Sequence, residues 1–307
     1  MDVSIVIPVY NRREYLEKTV LGIVASGVRP RNVVLVDNGS TDGSLELIET
    51  FPDRFGPSFV VLREPEPGAA AARNRGLAAC TGKWIYFFDS DDVFTGLPET
   101  WDESADMVCF PTTMCVDGRA TERVFIPRPE PHVQILSLSL NTQGMIFNAD
   151  FLRRAGGWDN RCRIWNDWEL GIRCLSQARN VQFLTEKAYH RILVHPDSIT
   201  GPDFSSRHDR LGESLEVVRQ DVQAISNPVE KEKCRRALYF RLCILCGHYL
   251  KEGNARYARE LEQRLGTDPK PGRMDSLVGR CLRRYVALGG RGAWRIALKI
   301  ADRKPGR

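Results

Sequence analysis

Three carboxylates stand within four residues, Asp89-Ser90-Asp91-Asp92, straight after the apolar run Trp84-Ile85-Tyr86-Phe87-Phe88. At that spacing they repel one another and call for a counter-charge. A hard divalent cation is the natural one; it typically keeps one or two protein carboxylates and fills its shell with substrate phosphates. The plain alternative, a solvated acidic turn, is disfavoured by the position behind a buried run. A fourth carboxylate, Asp37, closes a second apolar run, Val33-Val34-Leu35-Val36, and leads into Asn38-Gly39-Ser40-Thr41-Asp42. It can accept hydrogen bonds from a base or a ribose hydroxyl. It can equally close an Asx turn or cap a helix with help from Gly39 and Ser40. Residue type alone leaves those two roles even.

These side chains need elements to hold them. Ser4 to Val9 is a short β-branched run that reads as a buried strand, and Asn11 with Glu14 three residues on is a capping pattern for the helix that follows. Tyr15, Leu16, Thr19, Val20, Ile23 and Val24 recur at helical spacing until Gly27 and Pro30. Strands at 33–36, 59–62 and 84–88 then alternate with helices at about 44–50 and 69–80. That rhythm predicts a mostly parallel sheet covered by helices on both faces. In such a sheet ligands bind beyond the carboxyl ends of the strands, where Tyr10-Asn11, Asp37 and Asp89 all fall. From 96 to 145 the pattern weakens into short strand candidates such as 107–111. Helical periodicity returns at 148–155, 167–178, 209–226, 229–251 and 254–265, and a basic helical pair follows the linker Asp268-Pro269-Lys270-Pro271-Gly272.

Composition sets outer bounds. The 307 residues are 42% hydrophobic and 27% charged, an ordinary globular balance with ample core. No apolar run reaches the ~20 residues of a membrane span, and no basic stretch precedes the first apolar one, so a cytoplasmic protein is expected. Nine scattered cysteines argue against a disulfide framework. Cys243 and Cys246 sit in a helical pattern with no second pair, and read as buried thiols. The net charge of +5 is uneven: residues 273–307 hold ten Lys/Arg and two Asp, a net of +8, which leaves −3 for the rest.

Four motifs in order carry a resemblance: Ile5-Val6-Ile7-Pro8-Val9-Tyr10-Asn11, then Val36 to Asp42, then Gly68 with Ala72-Arg73-Asn74-Arg75-Gly76, then Phe88-Asp89-Ser90-Asp91-Asp92. Together they resemble the family 2 glycosyltransferases of the GT-A fold, tightly over about the first 95 residues and more loosely to about residue 201. The resemblance implies an α/β nucleotide-diphospho-sugar transferase fold, Rossmann-like with a mixed but mostly parallel sheet, and here an α-helical C-terminal extension. With the helical periodicity and basic charge that follow it, the chain divides into a GT-A domain at 1–205 (donor and metal half 1–95, acceptor half 96–205), a helical extension at 206–267 and a basic amphipathic tail at 268–307. The resemblance covers the first of these. It also implies an inverting transfer from a nucleotide-diphosphate sugar, by family habit a UDP-sugar, with Mn²⁺ or Mg²⁺. Pro8, Val9 and Tyr10 would frame the base, Asp37 and Asn38 would contact base or ribose, and Arg73 would lie by the phosphates. Asp89 and Asp91 match the outer acids of the DXD signature, Asp91 and Asp92 the pair that approaches the metal in some members; Ser90 goes with them as a donor contact. Asn38 is a departure, since many members have Asp there.

Gly156-Gly157-Trp158-Asp159 and Asn166-Asp167-Trp168-Glu169-Leu170 resemble the family's acceptor-side segment. Asp167 matches the general base and Glu169 is second choice; Asp167 can also simply cap its helix. Trp158, Trp165 and Trp168 lie within eleven residues, and Trp168, nearest Asp167, is the candidate for stacking on a sugar, although helical tryptophans more often pack in cores. Arg191 and His195 match a loop whose cationic residues often lie near the diphosphate, and 191–206 reads as a lid. The expected partners are the donor, a glycan or lipid-linked acceptor and, through 273–307, an anionic membrane surface on which a basic amphipathic helix can lie; the competing reading is a solvated helix packed on its own domain. No nucleic-acid motif is present. Two other classes stay open: a catalytically silent nucleotide- or sugar-binding protein on the same fold, and a nucleotidyltransferase, which would want a glycine-rich loop where Tyr10-Asn11-Arg12-Arg13 has no glycine.

Overall fold

The computed structural model describes residues 2–116, 119–194, 203–265 and 272–302. The chain opens with β1 (Val3–Val9), α1 (Arg13–Ala25), β2 (Asn32–Asp37), α2 (Ser44–Glu49), α3 (Phe51–Phe55), β3 (Phe59–Arg63), α4 (Ala69–Ala79) and β4 (Trp84–Phe87). This is the alternation its periodicity predicts. β1 pairs in parallel with both β2 and β4, and β2 with β3. The chain therefore runs outward from β1 to β3, then returns to lay β4 on the other side of β1. Such a reversal opens a crevice at the carboxyl ends of the two central strands.

The strands read as continuous apolar runs because both faces are covered. Val3, Ile5, Ile7 and Val9 face one core with Leu16, Val20 and Ile23 of α1, while Val6, Val34 and Val36 face the other with α4. Gly76 explains how close α4 lies: a Cβ there would stand 2.3 Å from Val6 Cγ1. The capping pattern at Asn11 is not realised as predicted. Helix α1 starts at Arg13 without a side-chain cap. Asn11 takes a left-handed φ of 50°, and its Oδ1 instead accepts the backbone N–H of Thr41 at 2.8 Å. The tertiary partner outcompetes the local one.

The middle of the chain adds β5 (Met107–Cys109), β6 (Thr112–Val116), β7 (Arg119–Phe125), α5 (Pro131–Ser137), β8 (Met145–Asn148), α6 (Ala149–Arg154), α7 (Asn166–Gln177), β9 (Val181–Phe183) and β10 (Tyr189–Val194). The seven-stranded sheet has the order β3-β2-β1-β4-β8-β5-β9, and β10-β6-β7 form a second sheet. Strand β8 runs antiparallel to β4 and β5, so the sheet is mixed. Helices α8 (His208–Ala224), α9 (Pro228–Lys251), α10 (Ala255–Leu265), α11 (Arg273–Ala287) and α12 (Ala293–Ala301) complete the fold. They share one core with α5 and α7, built on Ile135, Trp168, Phe240, Leu245, Leu282 and Ala297. Cys243 and Cys246 are buried free thiols, Cys246 within that core.

Candidate active site

Strand β2 delivers Asp37 to the crevice, where Val9 of β1 is its register partner. The carboxylate is buried. Its Oδ2 accepts the backbone N–H groups of Gly39 (3.1 Å) and Ser40 (3.3 Å), which is the Asx turn. Its Oδ1 is buried with no partner among the described residues, so the turn leaves one acceptor uncommitted. Asn38 is committed otherwise: its amide N–H₂ donates to the carbonyls of Glu64 (2.9 Å) and Glu66 (2.7 Å), and its Oδ1 accepts Gly68 N–H at 2.7 Å. This side chain ties β2 to the loop ahead of α4 and has both amide N–H groups committed, which leaves a nucleotide only the second lone pair of Oδ1. The donor role predicted for Asn38 is corrected accordingly; an Asp could not make the two donations. Val9 is also corrected: its side chain is in the core and its carbonyl accepts Asn38 N–H at 2.8 Å. Pro8 is half-buried, and Tyr10 offers the large open face, being 58% exposed.

The acids after β4 are held from three sides. Thr19 of α1 shares its hydroxyl between the carbonyls of Ser90 and Asp92, both at 3.0 Å, and Ser90 is buried. Asp89 Oδ1 accepts Arg73 Nη2 at 2.6 Å and its Oδ2 accepts Gln143 Nε2 at 2.7 Å. Asp91 accepts Arg12 Nε at 2.8 Å. Asp92 is buried, takes the other Gln143 donation on Oδ2 and accepts Leu193 N–H of β10 at 2.8 Å on Oδ1. Burial, with Asp89 and Asp91 adding repulsion, pushes its carboxyl well above the usual range. Asp89 and Asp91 keep open surface; Asp92 braces them from behind. The described residues hold no group of three His, Cys, Asp or Glu side chains placed to share a metal ion. Two partly open carboxylates at one strand end do suit a divalent cation that draws its remaining ligands from substrate phosphates.

Arg12 and Gln143 were not singled out from the sequence. Arg12 sits beside the first motif, where only the absence of glycine is legible. Gln143 lies in the patternless stretch, in a turn just before β8, and nothing local marks it.

The acceptor half meets this cluster through Arg73. Its guanidinium is buried, lies over the Trp158 ring at 4.3 Å and keeps Nε and Nη1 without partners among the described residues. Next to it, Asn74 clasps both backbone groups of Trp158, accepting its N–H at 2.9 Å and donating to its carbonyl at 2.8 Å. Gly157 is required there: φ is +65°, and a Cβ would stand 2.7 Å from Asn74 Oδ1. Asp167 lies in the first turn of α7, with Oδ1 accepting Trp168 N–H at 2.8 Å; the N-cap position is Trp165 and has no side-chain cap bond, so Asp167 does not cap the helix. Burial raises its pKa to about 6, with Arg73 pulling down and Asp89 pushing up. Arg73 and Asp89, which act on Asp167, belong to the acidic cluster after β4.

Other expectations resolve differently. Glu169 is fully buried and grips Arg173 at 2.5 Å; Arg173 in turn donates to the carbonyls of Ala155 and, at 2.7 Å, Gly157. It clamps the glycine turn and is walled off from any acceptor, which corrects its reading as a second base. Trp168 is fully buried and donates Nε1–H to the carbonyls of Gln134 (3.1 Å) and Ile135 (3.3 Å). No ring face is left for a sugar, so the core reading holds. Arg191 is exposed on β10 and bridges Val93 through its backbone, N–H to carbonyl at 3.2 Å and the return bond at 3.1 Å, which sets it beside the acidic turn. His195 lies outside the described residues, as does much of the expected lid. The neighbouring His190 is buried among Tyr86, Phe88 and Phe94, and burial lowers its pKa to about 3, so it stays neutral.

Residues 4–147 match the family model described as Glycosyl transferase family 2. Curated relatives include Glycosyltransferase GlyG of Streptococcus pneumoniae serotype 4, 36% identical over 91 residues, 30% of each protein. A PGL/p-HBAD biosynthesis glycosyltransferase of Mycobacterium tuberculosis is 27% identical over 235 residues, 70% of this chain and 88% of the relative. The match to Minor teichoic acid biosynthesis protein GgaB of Bacillus subtilis is 26% identical over 209 residues and covers 62% of this chain. The chain spans only 23% to 36% of the length of the first four curated relatives it matches. Among solved structures, S. aureus TarS 1–349 in complex with UDP-GlcNAc superposes with a TM-score of 0.71 at 17% identity, covering 97% of this chain and 91% of that one. The mannosyltransferase PcManGT from Pyrobaculum calidifontis, in complex with GDP-Man and Mn²⁺, superposes with a TM-score of 0.56 at 16% identity, covering 98% and 84%. The sheet order, the family motifs and these likenesses converge on one conclusion: residues 4–147 of this chain form a Glycosyl transferase family 2 segment, and the chain has the GT-A fold.

Proposed function

We propose that this chain moves a sugar, with inversion, from a nucleoside-diphosphate donor, by default a UDP-sugar, to a hydroxyl of a glycan or lipid-linked acceptor. The carrying observation is Arg73. It holds Asp89 at 2.6 Å, its charge acts on Asp167, and it keeps two buried N–H groups unpartnered among the described residues. A buried guanidinium with free donors between two acids suits a diphosphate, which accepts such bonds in a fixed geometry. Asp37 Oδ1 is a matching free acceptor for a ribose hydroxyl or base, and the exposed ring of Tyr10 can cover that base.

Asp89 and Asp91 would hold a divalent cation, which when bound offsets charge on the leaving diphosphate. Asp167 is the base. The acceptor oxygen bonds to the anomeric carbon as the bond to the diphosphate breaks, and the hydroxyl proton passes to the Asp167 carboxylate. A base titrating at about 6 is ionised at neutral pH and still basic enough to take that proton. The exposed Arg191 beside Val93 can add charge at the leaving group. Residues 273–307 are read as the peripheral contact with an anionic membrane.

The test is a thermal-shift screen with UDP, GDP, dTDP and CMP, each with and without Mn²⁺ or Mg²⁺. One nucleotide should stabilise the chain in a metal-dependent way, by about 2.7 kcal/mol at a hundred times its dissociation constant. Arg73→Ala should abolish the shift. No shift with any nucleotide, together with no release of nucleotide from the corresponding sugar donors, would overturn the proposal.

A further inference from the structure

We propose that the outer face of α11, continued by the start of α12, docks on an anionic lipid bilayer. This names the surface behind the peripheral contact read above, and it stands whether or not the assignment of the sugar-transfer residues does. The inward face of α11 is Gly279, Leu282 and Val286, seated on α9 so closely that a Cβ at Gly279 would lie 2.6 Å from Tyr239 Oη and one at Gly247 2.7 Å from the Arg283 carbonyl. At about 100° per residue, Met274, Leu277, Cys281, Tyr285 and Leu288 fall in another stripe, about 80° wide. Met274 is 70% exposed, Leu277 47%, Tyr285 41% and Leu288 87%; Cys281 is exposed as well. Arg273, Arg280 and Arg284 border that stripe on the helical wheel and are exposed.

Charge identifies the occupant. Both acids of the described segment are already paired: Asp275, turned inward, with Arg236 at 2.9 Å, and the exposed Asp302 with His132 at 2.6 Å. Arg283 pairs with Glu262 of α10. Arg273, Arg280, Arg284, Arg291, Arg295 and Lys299 remain exposed and have no acidic partner among the described residues. Tyr285 Oη donates to the Arg291 carbonyl at 2.9 Å, which pins the start of α12 against the stripe. Two copies laid stripe to stripe would bring arginine rows together with no acid to separate them. Anionic headgroups supply that counter-charge, while the apolar stripe enters the headgroup boundary. No described helix is long and apolar enough to cross a membrane, so the contact lies in the interfacial plane.

The test is co-sedimentation of the full chain with vesicles of phosphatidylcholine alone, or with phosphatidylglycerol as a third of the lipid. The chain should pellet with the anionic vesicles only, and less as salt rises. Leu277→Glu with Leu288→Glu should abolish binding. Arg280→Glu with Arg284→Glu should weaken it about 10-fold or more. Both pairs are on the surface and should leave the melting temperature and nucleotide-induced shifts unchanged. The proposal is overturned by no binding to anionic vesicles, by equal binding to both compositions, or by full binding of the leucine pair. It is equally overturned by a concentration-dependent dimer in light scattering that the leucine pair dissolves, which would assign the stripe to a second copy of this chain.

Discussion

Asp167 and Glu169 are two residues apart on one helix, and the structure predicts opposite behaviour when each is made an amide. Asp167 has its pKa raised to about 6 from an unperturbed 3.8. The folded chain therefore holds this proton more tightly than the unfolded chain. Stability from this group is intact below about pH 4 and falls as pH climbs through 6, by about 3 kcal/mol at 1.36 kcal/mol per unit; partial solvent contact makes that an upper bound. Asp167→Asn keeps the oxygen that accepts Trp168 N–H and removes the charge. In metal-free buffer at pH 8 it should be as stable as the parent or up to about 3 kcal/mol more so, while turnover falls by about 10²- to 10⁴-fold with loss of the base. Glu169→Gln removes the nearer of the two carboxylates beside buried Arg173, leaves Asp221 at 4.0 Å and turns an N–H₂ group toward a guanidinium, so the cost of breaking a buried pair is the upper bound here. Breaking a buried pair from one side costs about 3–5 kcal/mol. At about 2 °C per kcal/mol for a chain of this size, the melting temperature should drop by up to about 6–10 °C. Turnover of the folded fraction should stay within about threefold of the parent. Denaturant melts and initial rates of nucleotide release, measured well below both transitions, separate the two signatures. If Glu169→Gln abolished turnover at an unchanged melting temperature, and Asp167→Asn stayed active, the assignment of base and clamp would be wrong.

Further expectations follow from the same geometry. With Asp167 as the base, log kcat/KM should rise with unit slope below about pH 6 and level off above it; a profile flat between pH 5 and 7 would remove that role. Asn38→Asp would turn a carboxylate toward the carbonyls of Glu64 and Glu66, and should cost about 2–4 kcal/mol in denaturant melts with the metal requirement unchanged. Gly157→Ala meets both a left-handed φ and a contact at 2.7 Å from Asn74 Oδ1, so it should lower stability by about 2 kcal/mol or more and slow turnover by loosening Trp158 under Arg73. Trp168→Phe should destabilise by about 1–3 kcal/mol through its lost donations to Gln134 and Ile135, and should leave the acceptor KM unaltered. A raised KM would restore Trp168 as a sugar platform.

Where a local pattern carries the information, this chain was readable in advance. Apolar runs bounded by turn residues place β1 to β4, and helical spacing places α7 to α10 nearly to the residue and α11 and α12 as a pair without bounds, because burial on one or both faces writes a period into the sequence. The same runs bring Asp37 and Asp89 to strand ends at one sheet edge. What stayed hidden depends on partners distant in sequence. Asn38 looks like a donor to the ligand until the carbonyls of Glu64 and Glu66 are seen to take both its N–H groups. Glu169 looks like a base until it is seen to be buried against Arg173, which is itself held by the Gly157 carbonyl. Gln143 has no local signature, yet it bridges Asp89 and Asp92 from more than fifty residues away. Local pattern sufficed for the parallel αβ half, the helical remainder and the acids at the strand ends. Which of those polar groups face the crevice, and which are consumed in holding it, emerges from the packed chain alone. A side chain's chemistry depends on whether its hydrogen bonds and charge are already satisfied, and that is settled by residues brought together in space.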